Sequence, residues 1–197
     1  TNDICDDGGF ETKTLSTWGW TAIDNTRNNG SNTTSYVSNQ ILTSNPTANT
    51  IAGTVYSWEI VSTGSDSVFP ILQKVHSGNK ALKIGSANTN YSAESIMKTI
   101  NVTAINSNLT FWYALVLQDP ANHNATNDNP FFGVRIHSGS SAVFVPILPA
   151  ISSMLTAPII SDSSGFWISS GENRLRPWTC ASVDLSQYIG KQITIEF

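Results

Sequence analysis

Residues 109–118, Leu-Thr-Phe-Trp-Tyr-Ala-Leu-Val-Leu-Gln, decide the fold class of this chain. All but Thr110 and Gln118 are apolar, so the stretch buries both faces, as a central β-strand does. Trp112 and Tyr113 are sequence neighbours and point to opposite sides of a strand, so at least one of them lies in a core. Working outward, short runs rich in β-branched and aromatic residues recur at 9–14, 54–62, 81–85, 95–102, 131–137, 142–145, 166–169, 178–185 and 192–197. Within 81–85, Leu82 and Ile84 face inward and Lys83 outward. No segment carries a helical period, apart from one turn at Asp184-Leu185-Ser186-Gln187-Tyr188 that Asp184 or Ser186 is placed to cap. Residues 21–50 and 119–130 read as long Asn-rich loops, and 147–164 as an irregular crossing, because Pro146, Pro149 and Pro158 cannot serve a central ladder.

The expected fold is all-β, a two-sheet jelly-roll β-sandwich with long Asn/Ser/Thr-rich loops. Its core is expected to hold Leu82, Ile84, Phe111, Tyr113, Leu115, Val134 and Ile136. No repeat or linker divides the 197 residues, so 1–197 is read as a single domain. The chain starts at Thr1 without an initiator methionine and stops in an apparent strand, Ile193-Thr194-Ile195-Glu196-Phe197. It is therefore expected to be the N-terminal fragment of a longer protein, cut within its last strands.

Charged residues make up 12% of the chain, about half the usual share, while Ser, Thr and Asn fill about a third of it. A hydrophobic content of 40% with six Trp suffices for a core and excludes wholesale disorder. Ten thinly spread Lys and Arg against fourteen Asp and Glu exclude a nucleic-acid footprint. No 18-residue apolar run exists, so no membrane insertion is expected. Low charge with abundant small polar residues is common on exported surface proteins, and a secreted, cell-surface location is expected.

Four segments in order carry a family resemblance. They are Cys5-Asp6-Asp7-Gly8-Gly9-Phe10-Glu11, Ser77-Gly78-Asn79-Lys80-Ala81-Leu82-Lys83-Ile84, Leu109-Thr110-Phe111-Trp112-Tyr113, and Trp178 through Val183-Asp184-Leu185-Ser186-Gln187-Tyr188-Ile189-Gly190 into residues 193–197. Together they resemble the MAM domains and related jelly-roll carbohydrate-binding modules, which also occur in large secreted adhesins of Bacteroidota exported by type IX secretion. Residues 15–75 and 119–176 do not share the motifs. The resemblance implies a structural calcium held by the Glu11 carboxylate and backbone oxygens near Gly9 and Asn79, with Glu11 as an ordinary strand-end carboxylate the alternative. It implies that Tyr188 plugs the end of the sandwich. Cys5 and Cys180 lie on segments that such a fold brings near each other, which gives a candidate disulfide; pairing of either with a cysteine outside the chain is the alternative.

No zinc-binding His-Glu-x-x-His, nucleophile elbow or phosphate loop occurs. His76, His123 and His137 fit no metal-ligand spacing, and Glu59, Glu94 and Glu172 form no recognisable catalytic pair. A non-enzymatic role is expected. For sugar binding, the first candidates are Trp18 and Trp20, two residues apart beside Gly- and Ser-rich sequence, against the competing reading that each is core. Trp167 is a further candidate for exposure, while Trp58 and Trp178 are expected in the core. Residues 119–130 offer Asp119, Asn127 and Asp128 as a glycan- or calcium-binding rim, or else as a solvated turn. Asn29, Asn32, Asn90, Asn101, Asn108 and Asn124 each open a glycosylation sequon, as a chain so rich in Asn, Ser and Thr does by chance. Asp66-Ser67-Val68 resembles the short O-glycosylation acceptor of the same bacterial phylum.

The expected function is a non-catalytic adhesion or binding module, of the gliding-adhesin kind, with a glycan, another surface ligand or a protein as partner. The alternatives are a carbohydrate-binding module of a secreted glycoside hydrolase and a structural spacer.

Overall fold

The computed structural model describes residues 11, 20–27, 36–42, 49–51, 54–56, 58–85, 92–121, 130–147, 154–156 and 166–197. In chain order its strands are β1 (Trp20–Arg27), β2 (Tyr36–Leu42), β3 (Asn49–Ile51), β4 (Thr54–Tyr56), β5 (Trp58–Ser62), β6 (Lys80–Ile84), β7 (Ser92–Asn101) and β8 (Asn108–Gln118). They continue as β9 (Phe131–Gly133), β10 (Arg135–Ser138), β11 (Ser141–Phe144), β12 (Met154–Thr156), β13 (Ile168–Ser170), β14 (Asn173–Asp184) and β15 (Gln192–Glu196). Every pairing among them is antiparallel. A six-stranded sheet has the order β11-β10-β15-β7-β1-β2, and a three-stranded sheet the order β13-β14-β8. Three two-stranded pairs, β12-β9, β3-β4 and β5-β6, accompany them.

The two larger sheets are joined by one folded-over ribbon. β7 pairs with β15 in one sheet while β8, the next strand after β7, pairs with β14 in the other. The ladder does not break at the corner: Val102 donates its N–H to the Lys191 carbonyl at 2.9 Å, Gly190 donates to Val102 at 2.9 Å, and Leu185 donates to Ser107 at 2.8 Å. A two-stranded antiparallel ribbon bent across two sheets is the winding of a jelly roll. Gly190 takes φ +84° at this bend, where a side chain would be strained. Asp184 Oδ1 accepts the Ser186 N–H at 2.8 Å and opens a 3-10 turn at Ser186–Tyr188. That bond holds the Asp184 carboxyl below its ordinary range, so its support for the turn is present above the unfolded-state value and is lost as pH falls through the lowered one.

The core lies between the sheets. Tyr113 and Leu115 of β8 and Val183 of β14 meet Ile136 of β10 and Ile193 and Ile195 of β15, with Val134, Leu185 and Tyr188 completing the layer. Tyr113, Leu115, Val134 and Ile136 are buried as the sequence implied, and Phe111 packs against them half-buried. Leu82 and Ile84 are only half-buried, because β6 pairs with β5 outside the two main sheets. A second, smaller cluster sits on the outer side of the three-stranded sheet, where Phe69 and Leu72 cover Leu175, Ala114, Val116 and Trp178.

Two expectations of loop are corrected. Residues 21–50 hold most of β1, all of β2 and the start of β3, and β1 pairs with both β2 and β7. Their Asn, Asp and Thr residues hide the strand signal, since strand choice follows sheet packing more than intrinsic preference. Within 147–164, β12 pairs with β9 rather than running irregularly throughout. β14 also starts at Asn173, earlier than expected, and carries Pro177 inside it. Among the described residues no helix is long and apolar enough to cross a membrane.

Candidate functional site

The outer face of the three-stranded sheet is half covered and half open. Beyond the reach of Phe69 and Leu72, the outward residues are Asn108, Thr110 and Trp112 on β8, opposite Asp184, Ser182 and Cys180 on β14. Trp112 is 49% exposed although it sits on the most apolar strand of the chain. His76 stacks on it, with ring centroids 3.8 Å apart and planes 16° from parallel. Trp178 borders the pair, tilted, with its centroid 5.6 Å from that of His76, and its Nε1–H donates to the Gln73 carbonyl at 2.7 Å. The indole is thus held by neighbours rather than free to collapse, and a strip of hydroxyl, amide and carboxylate groups runs away from it along the strands at about 6.6 Å per two residues.

The inner face at the other end of the same sheet is electrostatically unusual. Arg174 and Arg176 of β14 lie opposite Leu117 and Leu115 and are 0% and 2% exposed. They point inward because the register slips between Arg176 and Thr179: the four residues 176–179 of β14 span what the three residues 113–115 span on β8. Pro177, which has no N–H to give a ladder, occupies this bulge. Arg174 Nη1 donates to the carbonyls of Gly171 at 2.7 Å and Asn173 at 3.0 Å, and its Nε stands 3.6 Å from Asp119 Oδ2. The Arg176 guanidinium lies over the Phe166 ring at 2.8 Å and 5.4 Å from the Tyr113 centroid. Its Nε and Nη1, the Nε and Nη2 of Arg174, and the Tyr113 hydroxyl make no well-formed hydrogen bond among the described residues, although the Tyr113 hydroxyl and the Arg176 guanidinium lie close enough to interact. Burial pushes the Tyr113 hydroxyl up, with the charge of Arg176 working against that shift, and burial pulls Arg176 down.

A third charged group lies on the outer side of the six-stranded sheet. Glu196, 4% exposed, accepts from Arg135 Nε at 2.5 Å and from His137 Nε2 at 2.6 Å. It is a carboxylate clamp across β10 and β15.

The residues singled out from sequence fall as follows. Asp119 is fully buried beside Arg174 instead of standing on an exposed rim; Asn127 and Asp128 lie outside the described residues. Trp20 is on β1, and Trp18 lies outside the described residues. Trp167 is half-buried against the main core. Glu11 and Asn79 are brought together across the sequence: Glu11 Oε1 accepts the N–H of Asn79 at 2.7 Å and of Lys80 at 3.0 Å. Gly9, the remaining expected ligand, lies outside the described residues, as does Cys5, while Cys180 is an exposed thiol on β14. Among the described residues no group of three or more His, Cys, Asp or Glu gathers at one point. Trp112, Arg174 and Arg176 were not singled out as site residues by the sequence. The only sequence mark for the arginines is that two of just four in the chain flank Leu175 and precede a proline.

No family model, curated protein or solved structure matches this chain.

The Glu11 contact yields a prediction. Gly78 has φ +74°, and a Cβ there would overlap Glu11 Oε1. The carboxylate can swing aside at little steric cost, but it then loses both N–H donors, and alanine at positive φ adds strain. Gly78→Ala is expected to destabilise by about 2–3 kcal/mol in urea unfolding, with Glu11→Gln costing about 1 kcal/mol. A loss under about 0.5 kcal/mol for Gly78→Ala would mean the clamp does not form.

Proposed function

We propose that this protein is a non-catalytic binding module of a secreted cell-surface protein, acting in adhesion, with a glycan as its ligand. The observation that carries this reading is Trp112, half-exposed and braced by His76 beside Thr110, Ser182, Asn108 and Asp184. An indole face takes the apolar face of a pyranose, while hydroxyl, amide and carboxylate groups at strand spacing answer the sugar hydroxyls. The flat, open strip suits an extended chain ligand, and a rigid sheet presents it without an ordering cost. The motif resemblance to MAM domains and jelly-roll carbohydrate-binding modules supports the same reading. A module that serves an attached glycoside hydrolase uses the same strip and differs in what it is joined to. The structural calcium implied by the resemblance belongs to this proposal as a stabilising ion near Glu11, apart from the strip.

A glycan array with wild-type protein and Trp112→Ala tests it. Wild type is expected to bind at least one glycan at millimolar or better affinity, and Trp112→Ala to lose at least about tenfold, the scale of removing one aromatic stacking partner. Equal binding by both proteins would move the ligand elsewhere on the surface. Absence of binding by wild type would leave the spacer reading in its place.

A further inference from the structure

We propose that the buried Arg176 guanidinium is a binding site for a carboxylate group of a small ligand, reached past Phe166. This site lies on the inner face of the sheet, and the Trp112 strip on its outer face, so neither reading depends on the other.

The argument starts from charge. Arg174 and Arg176 bring two positive charges into the sandwich, and Asp119, 3.6 Å from Arg174, supplies one negative charge. Arg174 is further anchored by two backbone carbonyls. Arg176 has neither kind of anchor among the described residues. Its neighbours are the Phe166 ring and the ring and hydroxyl of Tyr113, none of which carries a full negative charge, and its Nε and Nη1 are buried without a well-formed hydrogen bond, as are Nε and Nη2 of Arg174. A cation held in that way pays for its lost hydration with ring-face attraction and a neutral hydroxyl alone, which fall far short of the cost of burying an ion. A bound monoanion removes the imbalance.

Geometry then selects the anion. The Phe166 ring covers the guanidinium and the Tyr113 ring centroid stands 5.4 Å away, so an anion is received at the donor edges of the group and not over its covered face. Each of its two donor forks includes a nitrogen with no well-formed hydrogen bond, Nε in one and Nη1 in the other. A carboxylate is planar, carries one negative charge and meets such a fork with two parallel bonds. A phosphate is tetrahedral and carries more charge than the site needs. The Tyr113 hydroxyl, beside Arg176, adds a neutral donor on the same inner face. Phe166, the residue over the guanidinium, is 37% exposed, so it stands between the cation and solvent.

Thermal unfolding at constant ionic strength tests the proposal, with sodium chloride as reference and sodium acetate, sodium glucuronate and sodium phosphate as probes. Wild type is expected to gain Tm saturably with acetate and glucuronate, by about 5 °C at a hundredfold excess over Kd. Trp112→Ala should respond as wild type does, which separates this site from the glycan strip. Arg176→Met keeps the apolar stem, and is expected to melt no lower than wild type in chloride and to ignore both carboxylates. Arg176→Lys keeps the charge and loses the fork, and its response should need at least about tenfold more carboxylate. Three results would overturn the proposal: a wild-type Tm indifferent to carboxylates up to about 100 mM, a phosphate response equal to or larger than the carboxylate one, or an Arg176→Met protein that melts far below wild type in chloride. The last would mean that the chain already compensates the guanidinium.

Discussion

Asp119→Ala is expected to destabilise the protein by about 3–5 kcal/mol. Both members of the Asp119–Arg174 pair have fully buried side chains, and the Arg174 Nε stands 3.6 Å from the carboxylate. Removing the acid leaves a guanidinium inside the sandwich with two backbone carbonyls and no counter-charge among the described residues. The desolvation cost already incurred by Arg174 is then unopposed. Chemical denaturation of purified protein reads the loss directly. A second variant separates charge from packing: Asp119→Ala combined with Arg174→Met should recover a large part of the loss, because no bare ion remains. If the single substitution cost under about 1 kcal/mol, water would have to reach Arg174, and the interior described for this end of the sheet would be wrong.

Leu185→Ala carries the second large effect, about 3–5 kcal/mol. Leu185 is 0% exposed and lies where the ribbon passes from the three-stranded to the six-stranded sheet. Its N–H also closes the corner onto Ser107. Truncation opens a void between two sheets that the continuous ladder keeps from collapsing together, so relaxation offsets little of the cost. Ile189, four residues along the same corner and 48% exposed, is the control: Ile189→Ala should change stability by under about 0.5 kcal/mol. Similar losses at both positions, read from denaturant midpoints with unchanged m-values, would show that the corner is not the packed junction of two sheets.

Much of the architecture is legible in the chain. The run 109–118 specifies a central strand because its apolar residues leave no face for water, and β8 occupies it. The alternation in 131–137 and 192–197 puts Ile136, Ile193 and Ile195 on one side, and all three are core. Asp184 and Ser186 make the expected turn. The polar strands β1 and β2 were not legible, because Asn, Thr and Asp favour turns in isolation and enter a sheet only when a neighbour such as β7 offers a ladder.

The candidate sites were less legible, for two separable reasons. Trp112 and Tyr113 are adjacent, and sequence shows that they face opposite ways without showing which way is out. That depends on which side of β8 the six-stranded sheet packs, and it packs on the side of Tyr113. The arginines depend on a slip of one residue. Counting by twos from Cys180, which is exposed, would place Arg176 and Arg174 outside with it. The bulge at Pro177 reverses that parity, turning both arginines inward and Leu175 outward beneath Phe69 and Leu72. Composition and period therefore determined that this chain is an all-β sandwich and where most of its apolar strands run. Only the tertiary structure decided which ring is left in solvent and which charges are buried, because both follow from strand register and sheet side, and a period of two fixes neither.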